Sequence, residues 1–128
     1  GEELGFEESE LAYEELVDPY GIAFWPEFRG RDGCRTPIAW DADQPFGGFS
    51  TAKPWLPVFE KHINNAISRQ TANPESMLNR YREFLQWRKQ QHCLLKGDVR
   101  YYPSPAGTLL YERRDDQQSM LIALNLNH

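Results

Sequence analysis

Two arginines and an aspartate stand close together in a short segment that contains two glycines. Arg31, Asp32 and Arg35 lie within residues 30–40. The guanidinium of arginine is always charged near neutral pH, and it donates forked hydrogen bonds to carboxylates and hydroxyls. An aspartate in such a loop bonds to nearby backbone amides or to a neighbouring arginine. These side chains are therefore candidates for a binding site, and the alternative is an ion network that only stabilises the loop.

Two pairs of carboxylates are the first candidates for acid–base chemistry. Glu2 and Glu3 are adjacent, and adjacent side chains on an extended segment point to opposite sides, so we expect a structural role for them. Asp41 and Asp43 are close enough to share a face, but in so polar a loop we expect them to be solvated. Neither pair is predicted to act on a substrate bond.

The cysteines and histidines give no metal-binding pattern. Cys34 and Cys93 are far apart and outside any CxxC or Cys/His spacing, so the sequence predicts neither a disulfide framework nor a zinc site, and no cofactor. The histidines also stand alone, which is typical of solvated or core residues: His62, His92 and His128.

The arginine segment belongs to a long irregular region. Residues 20–57 hold most of the prolines and glycines, so we expect little regular structure there, and long loops are where binding groups are carried. Before it, residues 9–16 are predicted to form a short amphipathic helix that Ser9 caps and the Asp18–Pro19 pair stops.

A long helix and a small sheet are predicted in the second half. Asn73 and Pro74 indicate a helix start, apolar residues follow at three- and four-residue steps, and the helix should end before Gly97. Strands are then predicted over residues 98–102, 108–113 and 119–125, as an antiparallel meander. Residues 120–124 are apolar on both faces, which is typical of a strand covered on both sides, and because no closing partner follows we expect the sheet to be truncated.

The composition excludes several classes of partner. The chain has 128 residues, 40% of them hydrophobic, which suffices for a core. Its formal net charge of -5 repels phosphate backbones, so nucleic acid is not expected as a partner. No apolar run approaches the roughly 20 residues that cross a bilayer, and the acidic start is unlike a signal peptide. We therefore expect no membrane association and a cytoplasmic location.

Residues 30–40 read GRDGCRTPIAW, which resembles the GRDGCRTPMxW and GRDNARTPMxW patterns of bacterial α-glucosidases of glycoside hydrolase family 13, the α-amylase superfamily. Residues 1–5 resemble the QGEELG that follows the eighth barrel strand of these enzymes. Residues 54–58 resemble their PWLPV segment, and residues 76–87 resemble their SMLNRYRxFLxWR helix. The matches keep the same order over nearly the whole chain. Ile38, where many relatives have Met, is a volume-conserving change.

The resemblance implies a fragment of α+β class. Residues 1–96 would be the last loop and helix of a catalytic (β/α)8 barrel, and residues 97–128 the first strands of an antiparallel C-terminal β-sandwich. The nucleophilic Asp, the acid/base Glu and the stabilising Asp of the family would lie upstream. The chain would therefore hold no catalytic residue and would be inactive alone.

The resemblance also assigns roles in retaining hydrolysis of terminal α-linked glucose. Arg31 would face the substrate, an α-glucoside or a maltooligosaccharide, with Arg35 as the runner-up and Asp32 ordering the loop. None of the tryptophans is expected to be a primary sugar contact: Trp25, Trp40, Trp55 and Trp87.

Two alternatives remain. The chain could be a non-catalytic carbohydrate-binding or scaffolding module with a closed core. It could instead be a piece of a trehalose-forming or transglucosylating relative. An enzyme fragment predicts exposed apolar surface, through which the chain could dimerise.

Overall fold

The computed structural model describes residues 1–127, which fall into two compact units. The first unit is Gly1–Tyr81, and the second begins at Arg82. The division falls inside a helix, whereas the domain boundary implied by the resemblance lies between residues 96 and 97 and stays a prediction.

The first unit is built from short helices and turns, as its glycines and prolines predict. Its α-helices are α1 (Pro19–Ala23), α2 (Glu60–Asn64) and α3 (Ile67–Ala72), and 3₁₀ turns cover Glu2–Leu4, Tyr13–Glu15, Asp32–Cys34 and Pro45–Gly48. Leu11, Leu16 and Leu56 form a buried apolar cluster, against which Trp25 and Phe59 pack. The cluster borders the loop that carries the candidate arginines, because Leu11 and Leu16 line a cleft together with Gly33.

The helix predicted over residues 9–16 is wrong. Only Tyr13–Glu15 are helical there, in a single 3₁₀ turn, and an α-helix begins after Asp18 instead. Asp18 Oδ1 accepts the Tyr20 N–H at 2.9 Å, and Pro19 occupies the first helical position, where no N–H is needed. The Asp-Pro pair starts a helix; it does not stop one.

The long helix α4 covers Met77–Gln90, so it starts later than predicted. Asn73 does not cap it, because its side-chain oxygen accepts the N–H of Glu75 in a local turn. Ser76 takes over as the cap, its hydroxyl oxygen accepting the Asn79 N–H at 3.3 Å.

The helix also does not run unbroken to Gly97. Gln91 is extended, with φ −94° and ψ 100°, and its side-chain amide donates to the carbonyl of Trp87 at 3.2 Å. A separate short helix α5, His92–Lys96, follows. The side-chain bond satisfies a carbonyl at the end of α4 that the backbone no longer reaches.

The second unit contains the predicted meander, with strands in the order β1-β2-β3. The strands are β1 (Asp98–Tyr102), β2 (Thr108–Arg114) and β3 (Ser119–Asn125), so the prediction is confirmed, with β2 one residue longer. Both pairings are antiparallel; Tyr111 lies opposite Tyr101 on one side and Ile122 on the other.

Large apolar side chains are exposed on α4 and on the sheet. The exposed fraction is 53% for Phe84, 44% for Trp87 and 67% for Leu121. The fragment hypothesis predicts such surface, and self-association through it stays a prediction. Within residues 1–127, no helix has the length and apolarity that a membrane crossing requires.

Candidate functional site

Asp32 is the buried centre of the arginine loop. Its exposed fraction is 1%, and its Oδ2 accepts two backbone hydrogen bonds of 2.7 Å, from the N–H groups of Val17 and Asp18. Bonds to a charged acceptor are stronger than bonds between neutral groups. The carboxylate therefore fastens the turn Asp32–Cys34 to the start of α1.

Asp18, which the sequence analysis treated only as a helix breaker, holds the other side of this junction. Besides capping α1, its carboxylate accepts the backbone N–H of Arg31 at 2.9 Å. Backbone hydrogen bonds from Arg31 and Tyr20, and then the charge of Arg35, lower the pKa of Asp18 below its usual 3.8. The side chain thus stays ionised and fixes the main chain of Arg31.

Gly30 is required for this geometry. Its φ is +72°, in the left-handed region, and a Cβ there would lie 2.9 Å from the Asp18 carboxylate. Any side chain would push Asp18 away from Arg31. The backbone geometry therefore requires glycine at position 30, directly before Arg31.

Arg35 lies over both carboxylates at distances too long for hydrogen bonds. Its Nη1 is 3.6 Å from Asp18 Oδ2 and 3.9 Å from Asp32 Oδ1, and 57% of its side chain is exposed. The guanidinium is solvated, whereas the carboxylates of Asp18 and Asp32 are only 11% and 1% exposed. Asp32 Oδ1 is buried and has no hydrogen-bond partner among residues 1–127. Because neither contact is a hydrogen bond, Arg35 can turn toward a ligand, but the turn would take a cation away from the buried Asp32 Oδ1.

Arg31 has a fixed main chain and a free guanidinium. The residue is exposed, and within the described part of the chain its guanidinium makes no ion pair or hydrogen bond. Arg29, two residues earlier, is already engaged: its Nη1 is 3.2 Å from Glu10 Oε1, and its guanidinium lies 5.5 Å from the Trp25 ring centroid. Arg31 is thus the arginine of this loop that is available to a ligand.

His62 supports the arginine loop through contacts made from α2. This residue of α2 is 1% exposed, and its ring contacts the carbonyl of Glu7 and the hydroxyls of Ser9 and Thr36. The sequence alone indicates no role for His62, because its partners lie 26 to 55 residues away. The pKa of His62 is lowered, chiefly by burial.

A cleft of about 630 Å³ opens beside His62 and the loop. It is lined by Glu2, Glu3, Phe6, Glu7, Glu8, Cys34, Thr36, Ile38 and His62, with Gly1 and Gly33. The first two acids lie in the 3₁₀ turn Glu2–Leu4, so the extended backbone expected for them is wrong. Successive side chains in such a turn still diverge, and Glu3 pairs with the amino terminus at 3.1 Å.

The remaining candidate residues differ in how far they are buried. Trp25 packs on the core cluster, while Trp40 and Trp55 are exposed by 54% and 84%. Cys34 is exposed, with its Sγ 3.7 Å from Glu8 Oε1. Over residues 1–127, no group of three His, Cys, Asp or Glu side chains is arranged to hold a metal ion.

The model of the alpha-amylase catalytic domain matches residues 1–97. The chain belongs to the alpha-amylase family. Among its family relatives, the probable alpha-glucosidase of Rhizobium meliloti (strain 1021) is 45% identical over 127 residues, 99% of this chain and 23% of the relative. The oligo-1,6-glucosidase of Heyndrickxia coagulans is 28% identical over 146 residues, 99% of this chain and 26% of the relative.

Solved structures of alpha-amylase-type enzymes superpose on nearly all of this chain. The alpha-glucosyl transfer enzyme XgtA matches with a TM-score of 0.92 and 46% identity, over 98% of this chain and 23% of its own. The trehalulose synthase MutB of Pseudomonas mesoacidophila MX-45 matches with a TM-score of 0.83 and 26% identity, over 98% and 26%. The chain thus spans about a quarter of the length of these relatives.

Proposed function

We propose that this chain supplies one wall of the substrate pocket of a retaining α-glucosidase that releases terminal α-linked glucose from oligosaccharides or α-glucosides. Residues 1–96 contribute the end of a (β/α)8 barrel, and residues 97–128 begin the C-terminal β-domain. The family membership and the glucosidase names of the relatives support this assignment.

The observation that carries the proposal is the contrast between the two ends of Arg31. Its backbone N–H is bound by Asp18, which the buried Asp32 in turn holds, while its guanidinium is exposed and unpaired within residues 1–127. A fixed cation of this kind donates forked hydrogen bonds to sugar hydroxyls or keeps a neighbouring catalytic acid ionised. In the proposed enzyme Arg31 binds the substrate, and Arg35 closes onto it.

The reaction itself needs two carboxylates about 5 Å apart, one forming a glycosyl ester and the other protonating the leaving oxygen and then activating water. We assign both, and the stabilising Asp, to polypeptide outside residues 1–128. The isolated chain is therefore expected to hydrolyse no chromogenic α-glucoside. Hydrolysis by the pure chain would refute this assignment.

A chimera tests the role of Arg31. Residues 1–128 replace the matching segment of the Rhizobium meliloti relative, and kcat/KM for maltose is measured for the chimera and its variants. Arg31→Ala should lower kcat/KM by about ten- to a hundredfold, the value of a charged hydrogen bond to substrate. Arg29→Ala is the matched control, because Arg29 is already paired with Glu10. Equal effects of the two substitutions would contradict the proposal.

A second candidate is glucosyl transfer to another sugar. It is favoured by the 46% identity and the TM-score of 0.92 to an alpha-glucosyl transfer enzyme. Hydrolysis and transfer share the glycosyl-enzyme step and differ in whether water or a hydroxyl accepts the glucosyl group. Product analysis of the chimera distinguishes them, because transfer yields longer glucosides where hydrolysis yields only glucose.

A further inference from the structure

His62 is one of the most completely buried large side chains of the first unit, and aromatic rings pack against it. Its ring lies parallel to the Phe6 ring, with centroids 4.3 Å apart, and edge-on to Phe59 at 5.8 Å. Its exposed fraction is 1%. Such burial is uncommon for a group that titrates near neutral pH. The packing therefore fixes the direction in which each ring nitrogen points.

The hydrogen bonds of the ring indicate which nitrogen carries the hydrogen in the neutral form. Nε2 lies 3.0 Å from the carbonyl oxygen of Glu7, which can only accept, so Nε2 carries the hydrogen. The Ser9 hydroxyl lies 3.4 Å from the same nitrogen. Nδ1 lies 3.3 Å from the Thr36 hydroxyl, which donates to it in the neutral ring. A neutral imidazole satisfies every one of these partners.

These contacts reach the turn between the two candidate arginines at its middle and beyond its Arg35 end. Thr36 directly follows Arg35. In the middle of the turn, the Ser9 N–H donates to the carbonyl of Gly33 at 3.1 Å, and the backbones approach so closely that a Cβ on Gly33 would lie 2.3 Å from the Ser9 carbonyl oxygen. His62 thus links the segment 6–9, the arginine loop and α2.

We propose that His62 is a positioning residue for Arg31 and Arg35, and that it holds their loop only as the neutral imidazole. The inference rests on the function proposed above for these arginines. A protonated ring would turn Nδ1 into a second donor, so the Thr36 hydroxyl would have to turn and accept instead of donating. The charge would also be buried without a carboxylate in contact with it, and the loop would separate from α2.

Burial of the ring, more than the charges around it, favours the neutral form. Burial is the main cause of its lowered pKa; the charges of Lys61 and the amino terminus lower it further, while the Glu7 carbonyl and carboxylate oppose them. Glu2, Glu3 and Glu8 line the adjoining cleft. Because the folded-state pKa lies below the usual 6.5, the unfolded chain binds the proton more readily. The stabilisation is complete above pH 6.5 and is lost as the pH falls toward the folded-state pKa.

Nuclear magnetic resonance of the ¹⁵N-labelled chain tests the proposal without any sugar. The ring nitrogens of His62 and the amides of Ser9, Arg35 and Thr36 are followed from about pH 8 to about pH 5. We expect a neutral ring protonated at Nε2 at the upper pH. As the ring gains its second proton, amide hydrogen exchange at Arg35 and Thr36 should accelerate at least about tenfold beyond its normal pH dependence.

His62→Gln is the decisive variant, because its amide can donate to the Glu7 carbonyl but cannot titrate. It should keep the loop amides protected and abolish their excess pH dependence. His92→Gln, which removes an exposed histidine of the other unit, should leave that dependence unchanged. Should the excess persist in His62→Gln, or should the ring be protonated at Nδ1 at neutral pH, the proposal is wrong.

An activity measurement separates this inference from the proposed function. In the chimera, kcat/KM should fall toward acid pH in parallel with loop release, and His62→Gln should remove that part of the profile. If exchange of the loop amides accelerates in acid but Arg31→Ala leaves activity unchanged, the proposed function fails. The inference that neutral His62 holds the loop then stands. If Arg31→Ala is impaired but the amides do not respond to pH, the inference about His62 fails alone.

Discussion

Replacing Asp32 with alanine removes the acceptor of two backbone amides at once. Each hydrogen bond to a charged group contributes about 1.5–3 kcal/mol, so losing both sets an upper limit of about 6 kcal/mol. Both hydrogen bonds are only partly buried, so the freed amides regain part of the loss by bonding to water. We therefore expect Asp32→Ala to lower the free energy of unfolding of the first unit by about 3–4 kcal/mol. Asp32→Asn keeps an acceptor oxygen but loses the charge, and should cost about 1–2 kcal/mol.

Urea unfolding followed by tryptophan fluorescence measures these values, with the amide resonances of Val17 and Asp18 as local reporters. Asp43→Ala is the matched control, because Asp43 is an exposed carboxylate of the same loop region and its loss should change the free energy by at most about 0.5 kcal/mol. If Asp32→Ala falls within about 0.5 kcal/mol of the control, the carboxylate does not hold the loop. An Asn variant as unstable as the Ala variant would show that charge, not acceptor geometry, dominates.

Two further substitutions test particular contacts. Gly30→Ala should destabilise the chain by about 1–2 kcal/mol more than Gly5→Ala: both glycines have positive φ, but only at Gly30 would the Cβ press on Asp18. Comparative urea unfolding checks this, and equal losses would refute the steric part. Glu112→Gln should bring the raised pKa of Tyr102 back toward 10.0, because the Tyr102 hydroxyl donates to the Glu112 carboxylate at 2.7 Å. A pH titration of the Tyr102 ring resonances measures it, and an unchanged pKa would contradict the assigned cause.

The raised pKa of Tyr102 makes the stability of the sheet depend on pH in the alkaline range. A tyrosine whose folded-state pKa lies above 10.0 contributes stability that is present below pH 10.0 and lost as the pH rises through the folded value. Glu112 behaves oppositely, because hydrogen bonds from Ser119 and Tyr102 lower its pKa below the usual 4.5. The stability that Glu112 contributes is lost as the pH falls through its lowered pKa. The sheet is therefore most stable between the pKa of Glu112 and that of Tyr102.

Local patterns were enough for the sheet but not for every helix end. The strands follow from alternation and turn residues within each short segment, and all three lie where these signals placed them. The Asp18–Pro19 pair carries two opposite local signals, a stop for the preceding residues and a cap for the following ones. In the structure the cap forms, because Asp18 accepts the Tyr20 N–H. That hydrogen bond depends on the contacts that hold Asp18 in place.

The site was predictable as residue types but not as an arrangement. The GRDGCRTP segment drew attention to Arg31, Asp32 and Arg35. Their support comes from Asp18, 13 residues before Arg31, and from His62, whose main acceptor is 55 residues away. One sequence without an alignment carries no signal for such pairs. Which arginine remains unpaired likewise depends on Glu10 and Trp25 meeting Arg29.

The exposed thiol of Cys34 has a practical consequence. The chain contains one other cysteine, Cys93, which is buried. A thiol-reactive fluorophore or nitroxide added to the native chain would therefore attach at a single position, between Arg31 and Arg35. Its emission or spin mobility would follow local motion of this backbone in real time, with no engineered attachment point.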